Sequence, residues 1–121
     1  DSDKEAIALA RENIELNNCQ NITAVYRKVS SLERIFQEFN LNHIDFLKID
    51  CEGCEYQVLL NSPVDYLKKI EYIAMEAHLF SQKMVEQYKL LSEVLINAGF
   101  NVTIRENPVH DSLRLVFASR E

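Results

Sequence analysis

The sequence has only two glycines in 121 residues, whereas average glycine usage is about 7%. Loops that cradle phosphates or dinucleotides need several glycines within a few positions, because the backbone must approach the ligand closely. This chain has no such glycine-rich loop. Nucleotide binding by that route is therefore excluded.

Long apolar runs and an excess of basic residues are also missing. No run approaches the ~20 apolar residues that span a bilayer, and the start does not resemble a signal peptide. The formal net charge is -6, which opposes binding to a phosphate backbone because nucleic-acid affinity depends on Lys and Arg. We expect a cytoplasmic protein without nucleic-acid or membrane partners.

The chain has only three cysteines, which are Cys19, Cys51 and Cys54. An odd number of cysteines without the spacing of a disulfide framework is typical of reduced thiols. The stretch from Cys51 to Cys54 matches C-x-x-C, but a structural zinc site needs four ligands and no second Cys or His pair stands at suitable spacing. We assign no metal to it. A redox-active dithiol is the alternative, and we favour small buried thiols that pack near a strand end.

The remaining composition, 47% hydrophobic and 26% charged, is ordinary for a globular protein. Helical and extended patterns alternate, which predicts an α/β sandwich. We expect one domain over residues 1–121 and, since the chain begins without Met inside a helix-cap pattern, a fragment. Predicted helix caps are Ser2, Ser30, Ser62 and Ser81, and predicted strands cover residues 22–29, 44–49, 70–77, 100–104 and 113–118, the last two antiparallel.

The central stretch runs from Ile44 to Glu55. Its first half is an apolar run that predicts a strand buried on both faces of a parallel sheet. Lys48 interrupts this run, and we interpret it as a paired residue whose stem reaches the sheet edge. The second half of the stretch contains three carboxylates, those of Asp50, Glu52 and Glu55. Open α/β folds bind ligands at the carboxyl edge of the sheet, so we expect the chemistry there.

The run from Asp45 to Glu55, D-F-L-K-I-D-C-E-G-C-E, resembles the signature of the FkbM-type methyltransferases. The resemblance continues at Ser31-Leu32 and at Glu76-Ala77-His78, and it spans nearly the whole chain. It implies the class I fold, a three-layer α/β/α Rossmann-like methyltransferase sheet, mostly parallel with an antiparallel C-terminal strand. The family's first strands would lie before residue 1 and are lacking.

The resemblance also implies S-adenosyl-L-methionine as cofactor. Asp1 stands where the family has an acidic residue that accepts hydrogen bonds from the ribose hydroxyls, although a frayed terminus is an equal alternative. We assign cofactor binding to Asp1 and Ser30. Cys51 and Cys54 occupy positions that the family fills with small apolar residues, which supports the packing interpretation.

Four side chains form the candidate catalytic site, namely Asp50, Glu52, Glu76 and His78. Glu76 and His78 are two residues apart on one strand and so share a face. The resemblance implies methyl transfer to a hydroxyl of a small molecule or glycan, for which the protein positions the acceptor and removes its proton. We assign positioning or deprotonation to Asp50 with assistance from His78, and acceptor orientation to Glu52 and Glu76.

Several alternatives stay open. The carboxylates, Glu52 and Glu55 above all, could cap helices and satisfy loop amides, or the cluster could bind magnesium or manganese, although nothing in the sequence fixes a ligand count. The whole chain could be a metal-dependent hydrolase, or a non-catalytic interaction module that pairs through its exposed sheet. We favour the methyltransferase, and a homo-oligomer is compatible with it.

Overall fold

The computed structural model of the protein describes residues 1–120. Within them it contains nine elements, which are α1 (Lys4–Leu16), α2 (Leu32–Glu38), β1 (Ile44–Ile49), α3 (Glu55–Leu60), α4 (Val64–Leu67), β2 (Ile70–His78), α5 (Gln82–Asn97), β3 (Asn101–Glu106) and β4 (Leu113–Ser119). The predicted α/β class is confirmed.

The four strands form one mixed sheet in the order β1-β2-β4-β3. β1 and β2 are parallel, whereas β4 is antiparallel to both β2 and β3. The expectation of a mostly parallel sheet is therefore wrong for the described chain. Residues 107–112 between β3 and β4 are too few for a crossover helix, so β4 returns antiparallel to β3, as expected for this last pair, and inserts beside β2.

One face of the sheet carries the hydrophobic core. Ile73 and Met75 of β2 and Val116 of β4 are at most 4% exposed, and they cluster with Leu91 and Leu95 of α5. Cross-strand register aligns these positions, since Ile73 lies opposite Ala118 and Met75 opposite Val116. The burial of this face fixes the register, because a slip of one residue would turn its apolar side chains to solvent.

The opposite face carries exposed aromatic side chains. Phe46, Tyr72 and Phe117 lie on three neighbouring strands and are 61%, 45% and 42% exposed. Phe46 is directly opposite Tyr72 in the parallel ladder. The expectation that the first central strand is buried on both faces is therefore wrong, because helices cover this part of the sheet on one side only.

The segment at residues 22–29 is extended but is not a strand, in contrast to its prediction. Its backbone forms hydrogen bonds with Asp1. The Asp1 amino group donates to the Val25 carbonyl at 3.1 Å, and the Arg27 N–H donates to the Asp1 carbonyl at 2.7 Å. This is the bonding pattern of a parallel pair. The β-branched residues here favour a strand, but a strand needs a longer hydrogen-bonded partner.

The helix termini explain several boundaries. The α1 cap is Asp3 rather than the expected Ser2, because the Asp3 carboxylate accepts hydrogen bonds from the N–H groups of the first turn. Ser81 caps α5 as predicted, and its hydroxyl accepts from the Met84 N–H at 3.3 Å. After α5, Gly99 adopts φ +90°, which ends the helix. No helix among residues 1–120 has both the length and the apolar composition required to cross a membrane.

Two other predicted serine caps are wrong. Ser31, not Ser30, precedes α2, and its side chain makes no cap hydrogen bond. Ser62 is buried and does not cap α4, whose N-cap is Pro63. Its hydroxyl instead accepts from the Leu32 N–H at 2.8 Å and donates to the Val58 carbonyl at 2.6 Å, so it connects the start of α2 to α3.

The adjacent residues Leu90 and Leu91 of α5 test the position of the core. Leu91 is fully buried and Leu90 is 51% exposed. Leu91→Ala should lower the free energy of unfolding by about 2–5 kcal/mol, because it removes packed methyl groups and leaves a cavity. Leu90→Ala should change it by less than about 1 kcal/mol. Urea titrations followed by circular dichroism measure both, and equal losses would contradict the assigned helix face.

Candidate functional site

Three of the four predicted catalytic side chains meet where the parallel strands β1 and β2 end. Carboxylate oxygens of Asp50 and Glu76 and a ring nitrogen of His78 all lie within 4.8 Å of one another. The register explains this meeting. Lys48 is opposite Ala74, so the next residues on the same face, Asp50 and Glu76, come side by side, and His78 follows two residues later. We call this group the Asp50–Glu76–His78 cluster.

The three members differ in their surroundings. Asp50 is exposed and its Oδ2 lies 3.4 Å from the Lys48 ammonium, which confirms the interpretation of Lys48 as a paired residue. Glu76 is half-buried, and its carboxylate makes no hydrogen bond or ion pair with another residue among 1–120. The His78 side chain is only 5% exposed. The cluster thus has an open carboxylate side and a buried imidazole side.

The fourth predicted catalytic residue, Glu52, is not part of the cluster. It is exposed and lies in the loop after Asp50. Its φ is +51°, a left-handed backbone conformation that residues other than glycine, asparagine and aspartate rarely adopt. Among the described residues its carboxylate has no hydrogen-bond partner. Its assigned role in acceptor orientation stays a prediction.

Glu55 is the residue that connects this loop to β2. It is completely buried. Its Oε2 accepts from the Gly53 N–H at 2.8 Å, and its Oε1 accepts from the His78 backbone N–H at 2.8 Å and lies 3.2 Å from His78 Nδ1. The alternative that this carboxylate satisfies loop amides is confirmed for Glu55, and the same side chain also orients the imidazole.

The loop between Asp50 and Glu55 is closed by a disulfide between Cys51 and Cys54, whose Cα atoms are 5.4 Å apart. Both residues pack against the hydrophobic core as expected, but the expectation of reduced thiols is wrong, and Cys19 is the free cysteine. Positive φ angles at Glu52 and Gly53 turn the chain back on itself, which brings the two cysteines within bonding reach. Redox activity of this pair stays a prediction.

Gly53 adopts a backbone conformation that side chains strain. Its φ is +109°, and a Cβ added there would lie 2.6 Å from the methyl group at the flexible end of Met84 in α5. The positive φ therefore favours glycine at this position. The loop that carries Glu52 is thus packed on the helix that follows β2.

Two aromatic side chains surround His78. The Tyr56 hydroxyl donates to the His78 carbonyl at 2.7 Å, and the Phe80 ring lies 5.0 Å from the imidazole, centroid to centroid. Burial raises the pKa of Tyr56 well above its usual range, and the neighbouring Glu55 carboxylate adds to this effect. The phenol therefore stays protonated and continues to donate at alkaline pH values at which an ordinary tyrosine ionises.

The predicted cofactor residues lie apart from the cluster. Asp1 is exposed, and its Oδ1 accepts from the Asp3 N–H at 2.8 Å. It lines a groove with residues of the 22–29 segment and of α2. Ser30 is half-buried, and its hydroxyl makes no hydrogen bond within residues 1–120. No hydrogen bond or ion pair there joins either residue to the Asp50–Glu76–His78 cluster.

The family model described as the methyltransferase FkbM domain matches residues 5–102. The chain belongs to the FkbM methyltransferase family. This family consists of enzymes, and its fold is the Rossmann-like class I methyltransferase fold, so the resemblance recognised in the signature is confirmed. The matched range includes every candidate catalytic residue and Ser30, but not Asp1.

Solved methyltransferase structures share the fold of this FkbM domain. The precorrin-6y C5,15-methyltransferase from Geobacter metallireducens is 13% identical with a TM-score of 0.61, over 100% of this chain and 65% of that one. The METTL16 methyltransferase domain is 19% identical with a TM-score of 0.62, over 99% of this chain and 48% of that one. This likeness shows the fold alone.

Among curated proteins, the AMB antimetabolite synthetase AmbE of Pseudomonas aeruginosa is 32% identical over 81 residues. The aligned part is 66% of this chain but only 4% of AmbE. The FkbM domain thus spans a small part of that relative, and about half to two thirds of the precorrin-6y enzyme and of the METTL16 domain.

The contact between Glu55 and His78 was not predicted from the sequence, although the bonding of Glu55 to loop amides was an open alternative. The signal was present, because Glu55 belongs to the signature stretch and precedes a run of apolar residues that must be buried. A carboxylate at the start of a buried helix needs partners, and the nearest donors in the sequence are loop amides. That one of its partners lies 23 residues later, on His78, is not visible in the sequence.

A matched pair of substitutions tests this assignment. Glu55→Gln replaces one carboxylate oxygen by an NH₂ group, which must face a backbone N–H donor, so the free energy of unfolding should fall by about 2 kcal/mol. Glu52→Gln, three residues earlier and exposed, should change it by less than about 0.5 kcal/mol. Chemical denaturation measures both values. Equal effects would contradict the role of Glu55.

The disulfide is tested by reduction. Its loop closes over a sequence separation of 3, and the chain-entropy relation gives about 2 kcal/mol for so short a loop. Urea unfolding with and without a phosphine reductant should differ by about this amount, whereas a Cys51→Ser/Cys54→Ser double variant should not respond. Labelling of all three cysteines in the denatured, unreduced protein would contradict the bond.

Proposed function

We propose that this FkbM domain takes part in S-adenosyl-L-methionine-dependent methyl transfer to a hydroxyl group of a small molecule or glycan. The observation that carries the proposal is the Asp50–Glu76–His78 cluster, at the carboxyl end of the parallel strand pair in a member of a methyltransferase family. Ligands of open α/β folds bind at that edge. The cluster offers two groups that can take up a proton, and several hydrogen-bonding atoms, to the molecule that receives the methyl group.

The residues would act on the acceptor as follows. Asp50, exposed at the rim, positions the acceptor hydroxyl or receives its proton as the oxygen forms its bond to the methyl carbon. His78 assists through Nε2, since donation from Nδ1 to Glu55 leaves the lone pair of a neutral imidazole on Nε2. Glu76, and Glu52 from the loop, orient other groups of the acceptor. Such positioning accounts for much of the rate of an in-line displacement.

S-adenosyl-L-methionine would supply the methyl group on its sulfonium, which leaves as a neutral thioether. Asp1 fits the ribose hydroxyls in part, because its side chain is exposed and only Oδ1 is engaged locally, by the Asp3 N–H. Ser30 fits as a hydrogen-bonding group because its hydroxyl has no partner within residues 1–120. We assign both to cofactor binding in the complete protein.

Residues 1–121 act in this proposal as one methyltransferase-like domain. The exposed aromatic face of Phe46, Tyr72 and Phe117 would be covered by the second helical layer of a three-layer α/β/α arrangement. Since the chain spans 65% of the precorrin-6y enzyme and 48% of the METTL16 domain, the further layer would belong to a longer polypeptide. Substrate and activity are then properties of that polypeptide.

The exposed aromatic face also supports a second candidate function, a non-catalytic methyltransferase-like interaction module. Exposed apolar patches on a sheet mark contact surfaces, and the free edge of β1 could pair with a strand of another chain. A module of this kind would bury Phe46, Tyr72 and Phe117 in an oligomer and would not bind the cofactor. Cofactor binding therefore separates the two functions.

The proposed function is tested first by calorimetric titration of S-adenosyl-L-methionine and its demethylated product into the full-length polypeptide that carries this sequence. We expect saturable binding. Absence of binding to both would end the enzyme proposal and leave the interaction module, which light scattering would then detect as a stable oligomer.

With binding established, Asp50→Asn should lower release of the demethylated product by about 100-fold or more across a panel of hydroxylated acceptors, because it removes the proton acceptor. Cofactor affinity should not change. Asp45→Asn is the matched control, since Asp45 is 92% exposed and lies at the start of β1, whereas Asp50 follows the end of that strand. Retained turnover in Asp50→Asn would remove Asp50 from the mechanism.

A further inference from the structure

We propose that the Asp50–Glu76–His78 cluster is a binding site for one hard divalent cation, which takes Mn²⁺ more tightly than Mg²⁺. The three donor atoms lie within 4.8 Å of one another. Donors on one octahedral Mg²⁺ are about 3.0 Å apart at neighbouring positions and about 4.2 Å apart at opposite positions, because each bond is about 2.1 Å long. Rotation of the two carboxylate side chains would therefore be needed to bring all three atoms onto one ion.

The buried histidine is the observation that distinguishes this cluster from a chance group of acids. The His78 side chain is 5% exposed, and no hydrogen bond from another residue among 1–120 reaches its Nε2. Nδ1 already faces the Glu55 carboxylate at 3.2 Å, so Nε2 is the ring nitrogen left to bind a ligand. A cation bound between Nε2 and the two carboxylates would use that lone pair.

Glu55 completes the arrangement from the other side of the ring. Histidines that bind metals donate their second nitrogen to a carboxylate or carbonyl, which fixes the tautomer and the ring orientation. Here Nδ1 lies 3.2 Å from Oε1 of Glu55, and Glu55 is itself fixed by two backbone N–H groups, those of Gly53 and His78. The imidazole is thus held in advance with Nε2 available.

Charge also favours a cation here. Asp50 and Glu76 stand side by side, and within residues 1–120 the Lys48 ammonium is paired with Oδ2 of Asp50 alone, at 3.4 Å. The Lys48 side chain is 65% exposed, so it can turn away to water at little cost. Two carboxylates then offer oxygens to one ion.

The donor set indicates the metal. Two carboxylates are the ligands of Mg²⁺ and Mn²⁺, and one imidazole nitrogen favours the transition metal of the two. Three protein donors leave three of six octahedral positions for water or for oxygens of a ligand. If the proposed function holds, the ion would bind and polarise the acceptor hydroxyl, and the second carboxylate oxygen of Asp50 would receive its proton. His78 would then assist as a ligand of the ion and not through a free Nε2.

A second group of the same composition provides the control. His43, Asp45 and Glu71 also bring their donor atoms within 4.8 Å. However, the His43 and Asp45 side chains are 50% and 92% exposed, and the His43 Nε2 lies 3.5 Å from Asp45 and 3.7 Å from Glu71. We expect no tight binding there, because no buried group fixes the imidazole.

The test is a titration of the full-length polypeptide with Mn²⁺ alone, in which electron paramagnetic resonance measures the free ion. We expect one saturable site per chain, competed by a larger concentration of Mg²⁺. Glu76→Gln and Asp50→Asn should each weaken Mn²⁺ binding about tenfold or more, while circular dichroism remains that of the wild type. Asp45→Asn and Glu71→Gln should leave the affinity within twofold.

Three results would overturn the proposal: no saturable binding, unchanged affinity in Glu76→Gln, or a loss that appears equally in Asp45→Asn. The readout is independent of methyl transfer. Mn²⁺ binding with the expected variant pattern in a protein that does not bind S-adenosyl-L-methionine would support the metal site and reject the proposed function. Cofactor binding in the presence of a chelator, without Mn²⁺ binding, would reject the metal site alone.

Discussion

The buried carboxylate of Glu55 is the constraint on which the candidate site depends. A charge removed from water is tolerated only where hydrogen bonds or a counter-charge replace its hydration. Glu55 obtains them from the Gly53 and His78 N–H groups and from the His78 ring. Its partners lie in the loop after β1 and at the end of β2, so one side chain fixes the distance between the strand ends that carry Asp50, Glu76 and His78.

The disulfide and the sheet place further restraints on the same region. Cys51 and Cys54 close the loop covalently, Gly53 supplies the positive φ of its turn beside Met84 of α5, and the parallel pair of β1 and β2 sets Asp50 beside Glu76. This preorganisation suits a site that must orient a ligand, because little reordering is needed when the ligand binds. Membership of the FkbM family gives that geometry a chemical context, methyl transfer.

The positions of helices and strands were predictable where local pattern and burial agree. The helix from Gln82 to Asn97 and the strands β2 and β4 follow their apolar patterns. The predicted strand at residues 22–29 is wrong because a strand also needs a partner strand, and among residues 1–120 only the backbone of Asp1 pairs with this segment. The prediction of a mostly parallel sheet was wrong because two of the three strand pairs are antiparallel. Of the candidate site, Asp50, Glu76 and His78 were predicted and lie together, whereas the contact of Glu55 with His78 was not predicted.

The sequence by itself determined the family, the α/β class and the gathering of acidic residues after β1, because each is encoded in residues that are neighbours along the chain. Only the tertiary structure decided which of them act together. It left Glu52 in solvent, joined Cys51 to Cys54, exposed Phe46, Tyr72 and Phe117, and placed Glu55 against His78. These outcomes depend on contacts between distant residues and on the space available in the core, and no local pattern specifies either.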